Sequence, residues 1–327
     1  MTDSPVFLDV GRPPVPDMVI PRGVVPFFLP RRPVRGRLVR LGALANALLT
    51  RHDNHPIVTQ LSGQALALAA GLSTALKFRG TFSLQAKGNG PVDMLLADCT
   101  DTGELRGYAR ADSGLLEHLL VRNPAPAADA LLGSGYLAFT VDQGGGQNRH
   151  QGIVAIEGSS LAAMSLHYFE TSEQLRCQIF LACEHTAAGW RAGALILEKV
   201  AGAGGIDPVL DAEDPVPDAE AREESWHTAT ILARTLTSNE LLDDDLPAER
   251  LLYRLFHTEG VVVDRARALS YGCRCSRARL SGILQGFSDD DLDHMTVDGT
   301  IIMTCEFCHY DFRFPRADMH GQTMSKR

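Results

Sequence analysis

The sequence predicts an α+β protein: an N-terminal mixed or antiparallel-sheet domain with helices, a helical linker, and a small C-terminal domain organised by cysteines. Three observations predict it. Alternating apolar residues broken by glycine turns occupy residues 82–109. An acidic, proline-containing stretch interrupts the pattern at 207–224. Four of the seven cysteines fall in the last fifth of the chain. At 327 residues, and roughly 150 residues per domain, about two domains are expected, large enough to bury cores without disulfides.

The first segment, 1–34, is read as a Pro-rich N-terminal extension. Eight of the seventeen prolines lie in residues 1–33, and such density cannot sustain a helix or a central strand. An extended arm is expected, its apolar patch Val24 to Leu29 free to pack on the body, with no function assigned.

Residues 35–206 are expected to form the α+β core domain. A short alternating strand (Leu38, Val39, Leu41) precedes Ala/Leu-rich helical sequence through Leu49 and again from Ile57 to Leu76. Phe82, Leu84 and Ala86 alternate before the turn Gly88-Asn89-Gly90-Pro91. Met94 to Cys99 follows, and Asp101-Thr102-Gly103 joins it to a strand near Leu105 to Ala109, which completes an antiparallel meander. Further strands are expected at Tyr136 to Val141, Gly152 to Ile156, Leu175 to Cys183 and Ala194 to Val200, with a helix from Leu161 to Phe169.

Eight acidic residues, one arginine and three prolines between Asp207 and Glu224 mark a solvated connection. A helical linker, 225–268, follows. Thr237 and Glu240 have capping-box spacing, Pro247 suits a first helical turn, and Leu251, Leu252, Leu255 and Phe256 share one apolar face. Such a stripe also suits permanent core.

The final domain, 269–327, carries Cys273-Arg274-Cys275 and Cys305-Glu306-Phe307-Cys308, with 29 residues between the pairs. Two close pairs present four thiolates to one tetrahedral ion, so Cys273, Cys275, Cys305 and Cys308 are the predicted ligands of Zn²⁺. Around the second pair, Asp298-Gly299 signals a hairpin, Thr300 to Thr304 a strand, and Tyr310, Phe312 and Phe314 an alternating return strand: a zinc-ribbon-like knuckle. A thioredoxin-type pair would need a helix after Cys305, where strand sequence stands instead. In extended chain, Cys-x-Cys Cα atoms are about 6 to 7 Å apart, so an internal disulfide is feasible and strained, hence easily reduced. Four cysteines allow three pairings, and spacing does not choose among them. Arg274, Arg277 and Arg279 add positive charge that would favour thiolate, and a role as solvated surface arginines suits them equally.

The remaining signals are read as structural. Cys99, Cys177 and Cys183 sit in apolar strands as small hydrophobes. His309 adjoins a complete ligand set, His52 and His55 flank a loop, and the glycines at 144–146 lack the Lys-Ser/Thr of a phosphate loop. No nucleophile, base and orienting group stand at a recognisable spacing, so an enzyme is not expected. Thirty-one basic against forty acidic residues give a net charge of −9, unfavourable for a polyanion. A zinc ribbon binding nucleic acid is the alternative reading, disfavoured by seven Lys/Arg against eight Asp/Glu in 270–327. The sequence contains neither a run of about 20 apolar residues nor a secretory h-region, which predicts no membrane partner and a cytoplasmic location.

Several stretches, in order, resemble the Hsp33 family of redox-regulated bacterial chaperones: Leu76-Lys77-Phe78-Arg79-Gly80, Gly88-Asn89-Gly90-Pro91, Arg106-Gly107-Tyr108-Ala109, Gln151-Gly152-Ile153-Val154, Tyr168 to Gln174, Leu251 to His257, and the two cysteine motifs. The Pro-rich arm and the acidic 207–224 segment depart from the pattern, as does Gln64, where relatives often carry an acid. The resemblance implies a holdase that is inactive when reduced and zinc-bound. By the same resemblance, oxidants together with unfolding conditions would convert the cysteines to the disulfides Cys273–Cys275 and Cys305–Cys308 and release the metal. It further implies that the linker then loosens, that unfolded or partially folded client proteins are captured on the exposed apolar surface, and that the oxidised form is a homodimer.

Overall fold

The computed structural model describes residues 10–30, 32–75, 79–143, 149–200 and 219–319. The turn glycines at 144–146, the end of the helical reading at Leu76, and 207–218 of the acidic connection lie outside them. Chain order begins with β1 (Val19–Leu29) and β2 (Val34–Arg40), then α1 (Ala43–Leu49) and α2 (Pro56–Ser73). The meander follows as β3 (Thr81–Gly88), β4 (Val92–Thr100) and β5 (Glu104–Ala111). Two helices absent from the sequence reading come next, α3 (Ser113–Arg122) and α4 (Ala128–Leu132). Then come β6 (Gly135–Asp142), β7 (His150–Ala155), α5 (Leu161–Thr171), β8 (Cys177–Thr186) and β9 (Gly189–Lys199). The linker region holds α6 (Ala219–Ala233), α7 (Ser238–Leu242), α8 (Ala248–Phe256), β10 (Val262–Val263) and β11 (Arg267–Tyr271). The last part holds α9 (Arg277–Leu284), α10 (Asp289–His294), β12 (Thr296–Val297), β13 (Thr300–Thr304) and β14 (Asp311–Pro315).

One sheet runs β7-β6-β3-β4-β5-β11-β1-β2-β9-β8, with β10 also on β1. Its pairings among the described residues are antiparallel except β11 with β5, where Ser270 faces Glu104 and Tyr271 faces Leu105. The expected arm therefore contains a central strand, which corrects the reading of 1–34. The prolines fall where the ladder needs no N–H. Pro21 lies in the register shift between Ile20 and Val24. Pro26 sits between the β11 and β10 pairings, its carbonyl accepting from Asp264 N at 2.9 Å. Alternation persists through them. Val24 and Val39 face one core, while Val25, Phe27, Leu29 and Leu38 face another.

The first core is built on α2, which lies against β4, β5, β8 and β9 and is buried except along a stripe in its first half, where Ile57, Gln60 and Gln64 are half-buried. Its alanines and glycines permit that approach: a Cβ at Gly71 would meet Val39 at 3.1 Å. The second core covers the opposite face of β1, β2 and β9 with Trp226, Ala229, Leu241, Leu242, Leu251, Leu252, Leu255 and Phe256. The expected linker face is thus buried, and Phe256 stacks on Phe27 with ring centroids 5.5 Å apart. The capping box at Thr237 and Glu240 is present. The guanidinium of Arg40 adds polar anchoring, donating to the carbonyls of Glu240 at 2.6 Å, Leu241 at 2.9 Å and Leu246. Arg32 reaches Glu259 at 2.5 Å and Ser225 at 3.1 Å.

Candidate metal centre

Two local structures deliver the cysteines. β11 ends at Tyr271, so Cys273 follows directly from the large sheet, and Cys275 precedes Ser276, which caps α9 by accepting from Arg279 N at 3.2 Å. The second pair tops the β13–β14 hairpin, whose ladder runs from Thr300 opposite Pro315 to Thr304 opposite Asp311. Cys305 N donates to Tyr310 O at 3.0 Å and His309 N to Cys305 O at 2.8 Å, with His309 in the left-handed region at φ 54°. That tight reversal turns both thiols to one side. A small core of Leu284, Leu292, Ile301, Phe312, Phe314 and Met319 supports it.

All four Sγ atoms lie within 4.8 Å of one another. Cys273 stands 3.4 Å from Cys275 and 3.6 Å from Cys305, and Cys275 stands 3.4 Å from Cys308. A Zn–S distance of about 2.3 Å gives a sulfur tetrahedron with edges of about 3.8 Å, so the donors fit one tetrahedral ion. Four sulfurs and no carboxylate favour a soft or borderline metal over calcium or magnesium. Sharing hydrogen bonds, first with Cys275, draws the Cys273 thiol down to about 7, and the bond from Cys273 lowers Cys305 further. The same bonds with Cys273 push Cys275 and Cys308 up. Four thiolates this close repel one another strongly without a cation among them.

The other expectations find their places. Burial raises the Cys99 thiol to about 11 and those of Cys177 and Cys183 to about 12, which disfavours thiolate. His309 directs Nδ1 to Arg51 O at 3.0 Å, and its ring stacks on His52 at 5.6 Å. His55 caps α2 by accepting from Ile57 N at 3.3 Å. Arg274 reaches across to the Thr81 hydroxyl at 3.4 Å, and Arg277 lies 4.5 Å from the centre of the Phe314 ring.

The contact between knuckle and sheet was not foreseen. Phe307, between the second pair of cysteines, meets the Tyr108 ring edge-on at 5.3 Å and lies 4.0 Å beneath the guanidinium carbon of Arg106. Arg106 donates twice to Asp98, at 2.8 and 2.7 Å, and Asp98 accepts from Ser83 at 2.6 Å. The Arg106-Gly107-Tyr108 run was visible in the sequence; its partner Phe307, about two hundred residues later, was not.

A family model described as Hsp33 protein matches residues 23–315. A 33 kDa chaperonin of Caulobacter vibrioides is 37% identical over 287 residues, covering 86% of this chain and 91% of the relative. A 33 kDa chaperonin of Nitrosococcus oceani is 35% identical over 295 residues, covering 90% and 91%. The crystal structure of a 33 kDa chaperonin (heat shock protein 33 homolog) from Thermotoga maritima superposes with a TM-score of 0.70 at 20% identity, covering 90% of this chain and 96% of that one.

Proposed function

The chain belongs to the Hsp33 family, and on that premise we propose that it is a redox-regulated holdase whose four cysteines form the switch. A zinc ion, when bound, would hold Cys273, Cys275, Cys305 and Cys308 as thiolates and cross-link the end of β11, the start of α9 and the β13–β14 hairpin. Peroxide removes two electrons from each pair. Each pair of thiolates forms one S–S bond as an O–O bond breaks, and two protons are taken up to release two waters. By family likeness the pairs are Cys273–Cys275 and Cys305–Cys308. Such short loops restore little order.

The energetics favour unfolding of residues 269–319 once the sulfurs lose their charge. Structural zinc is worth on the order of 10 to 16 kcal/mol in small fingers, against ~5 to 15 kcal/mol for a whole domain. The supporting core counts only six buried side chains among the described residues. The linker, 225–268, runs directly into this module through β10 and β11. Its release would uncover Val25, Phe27, Leu29, Leu38, Leu195 and Leu197, now covered by α6, α7 and α8. Apolar surface of that extent binds unfolding clients without sequence preference and drives self-association, in keeping with a dimeric oxidised form. A reducing compartment, the cytoplasm, keeps the switch shut. No helix among the described residues is long and apolar enough to cross a membrane.

The burial of Leu251, Leu252, Leu255 and Phe256 on a sheet that continues into the cysteine pair carries this reading. One titration tests it: metal release, followed with a chromogenic chelator, and suppression of client aggregation are measured together during peroxide treatment and thiol reversal. Both should rise and fall together. Metal loss without protection of clients would overturn the proposal.

A further inference from the structure

Residues 10–20 precede the stretch matched by the family model, yet they hold the first cysteine pair from both ends. Upstream, Tyr271 N donates to Met18 O at 3.2 Å, and the ladder continues with Val19 opposite Ser270 and Ile20 opposite Leu269. Downstream, Arg277 N donates to Gly11 O at 2.9 Å and Ala278 N to Val10 O at 3.3 Å. Cys273 and Cys275 lie between these two sets of bonds.

The downstream bonds answer a need of α9. The first N–H groups of a helix have no partner within it. The Ser276 side chain serves Arg279, and the carbonyls of Gly11 and Val10 serve Arg277 and Ala278. Gly11 is required at its position, since φ is +72° and a Cβ would fall 2.8 Å from the Cβ of Arg277. Between the two anchor points stand Pro13, Pro14 and Pro16, with Pro13 buried and its carbonyl accepting from Val15 N at 2.9 Å. Prolines restrict the unbound chain, so spanning from Gly11 to Met18 loses less entropy than a flexible tether would.

We infer that residues 10–20 are a clasp that positions Cys273 and Cys275, setting how readily this pair opens to attack. The inference rests on the redox reading above and adds a control specific to one of the two pairs. Three of the N-terminal prolines find a role in it: Pro13, Pro14 and Pro16 stiffen a brace across Gly272–Ser276.

The test uses the reduced, zinc-loaded chain, a variant lacking residues 2–17, and Gly11→Ala, which keeps every other side chain. Amide exchange at Arg277 and Ala278 should quicken roughly tenfold in both variants, the scale of losing one or two net backbone hydrogen bonds. Alkylation by iodoacetamide, resolved by peptide mass spectrometry, should speed several-fold at Cys273 and Cys275 in its initial phase and less than twofold at Cys305 and Cys308. Equal acceleration of all four cysteines would reduce the contact to general stabilisation, and unchanged rates in Gly11→Ala would remove the clasp; either overturns the inference. Client protection by the oxidised parent chain is measured separately. A parent that protects clients while Gly11→Ala reacts normally would sink the clasp and leave the chaperone reading intact.

Discussion

Arg106 and Phe307 are joined by a cation–π contact of 4.0 Å, which places the tip of the cysteine knuckle on a cation already fixed by the buried carboxylate of Asp98. The module is therefore seated on the sheet as well as chained to it. Such contacts contribute about 0.5 to 2 kcal/mol, small beside metal binding but sufficient to bias when the module lifts away.

Phe307→Ala should release metal about 5 to 10 °C lower, or at a correspondingly smaller peroxide dose, with the reduced-state metal stoichiometry unchanged. Thermal metal-release curves check this. Because Arg106→Ala also strands Asp98 in the interior, a double-mutant cycle of the two positions is the cleaner measure, with a coupling of about 1 kcal/mol expected.

Replacing a ligand is harsher. On the proposed zinc site, Cys308→Ser swaps a buried sulfur donor for a weak oxygen donor, and loss of tight zinc binding is expected together with rapid amide exchange across β13 and β14. A variant that retained stoichiometric metal and full protection of that hairpin would contradict the four-sulfur assignment.

Phe256 is fully buried and stacked on Phe27. Phe256→Ala should weaken linker docking by about 3 to 5 kcal/mol. The expected result is measurable protection of aggregating clients without oxidant while zinc stays bound, with new protease cleavage within 225–268. Silence in both assays would mean that the face is permanent core.

Alkaline pH should weaken the sheet domain. Burial raises Cys99 to about 11 and Cys177 and Cys183 to about 12. Above the ordinary thiol value near 8.5 the unfolded chain loses these protons before the folded one does. Stability is therefore complete below that value and falls as pH rises towards 11, by up to about 1.4 kcal/mol per unit for each thiol. Urea midpoints of the reduced protein at pH 8, 9 and 10 should show the decline, and Cys99→Ala should make it shallower.

How much of this could be read beforehand depends on where each residue finds its partners. The meander β3–β4–β5 was legible because alternation and glycine turns are local signals, and the capping box of α7 likewise lies within four residues. The sulfur cluster was legible through spacing. β1 was not, because its prolines suggest exclusion from a sheet until the positions of the missing N–H groups in the register are known. β11 is five residues long with only Leu269 buried, and nothing local separates it from a loop. Strand pairing across about 165 residues makes it what it is. α3, which buries only Leu116, carries too faint an apolar stripe to stand out.

The parallel pairing of β11 with β5 makes the large sheet a splice. Among the described residues, the ladders of one half, β7-β6-β3-β4-β5, and of the other, β1-β2-β9-β8, are joined through a short strand that leads straight to Cys273. Withdrawing that strand would leave raw backbone margins on both β5 and β1. Extended polypeptide could then be gripped by its peptide groups as well as by its greasy side chains, a form of adhesion indifferent to the identity of the captured chain.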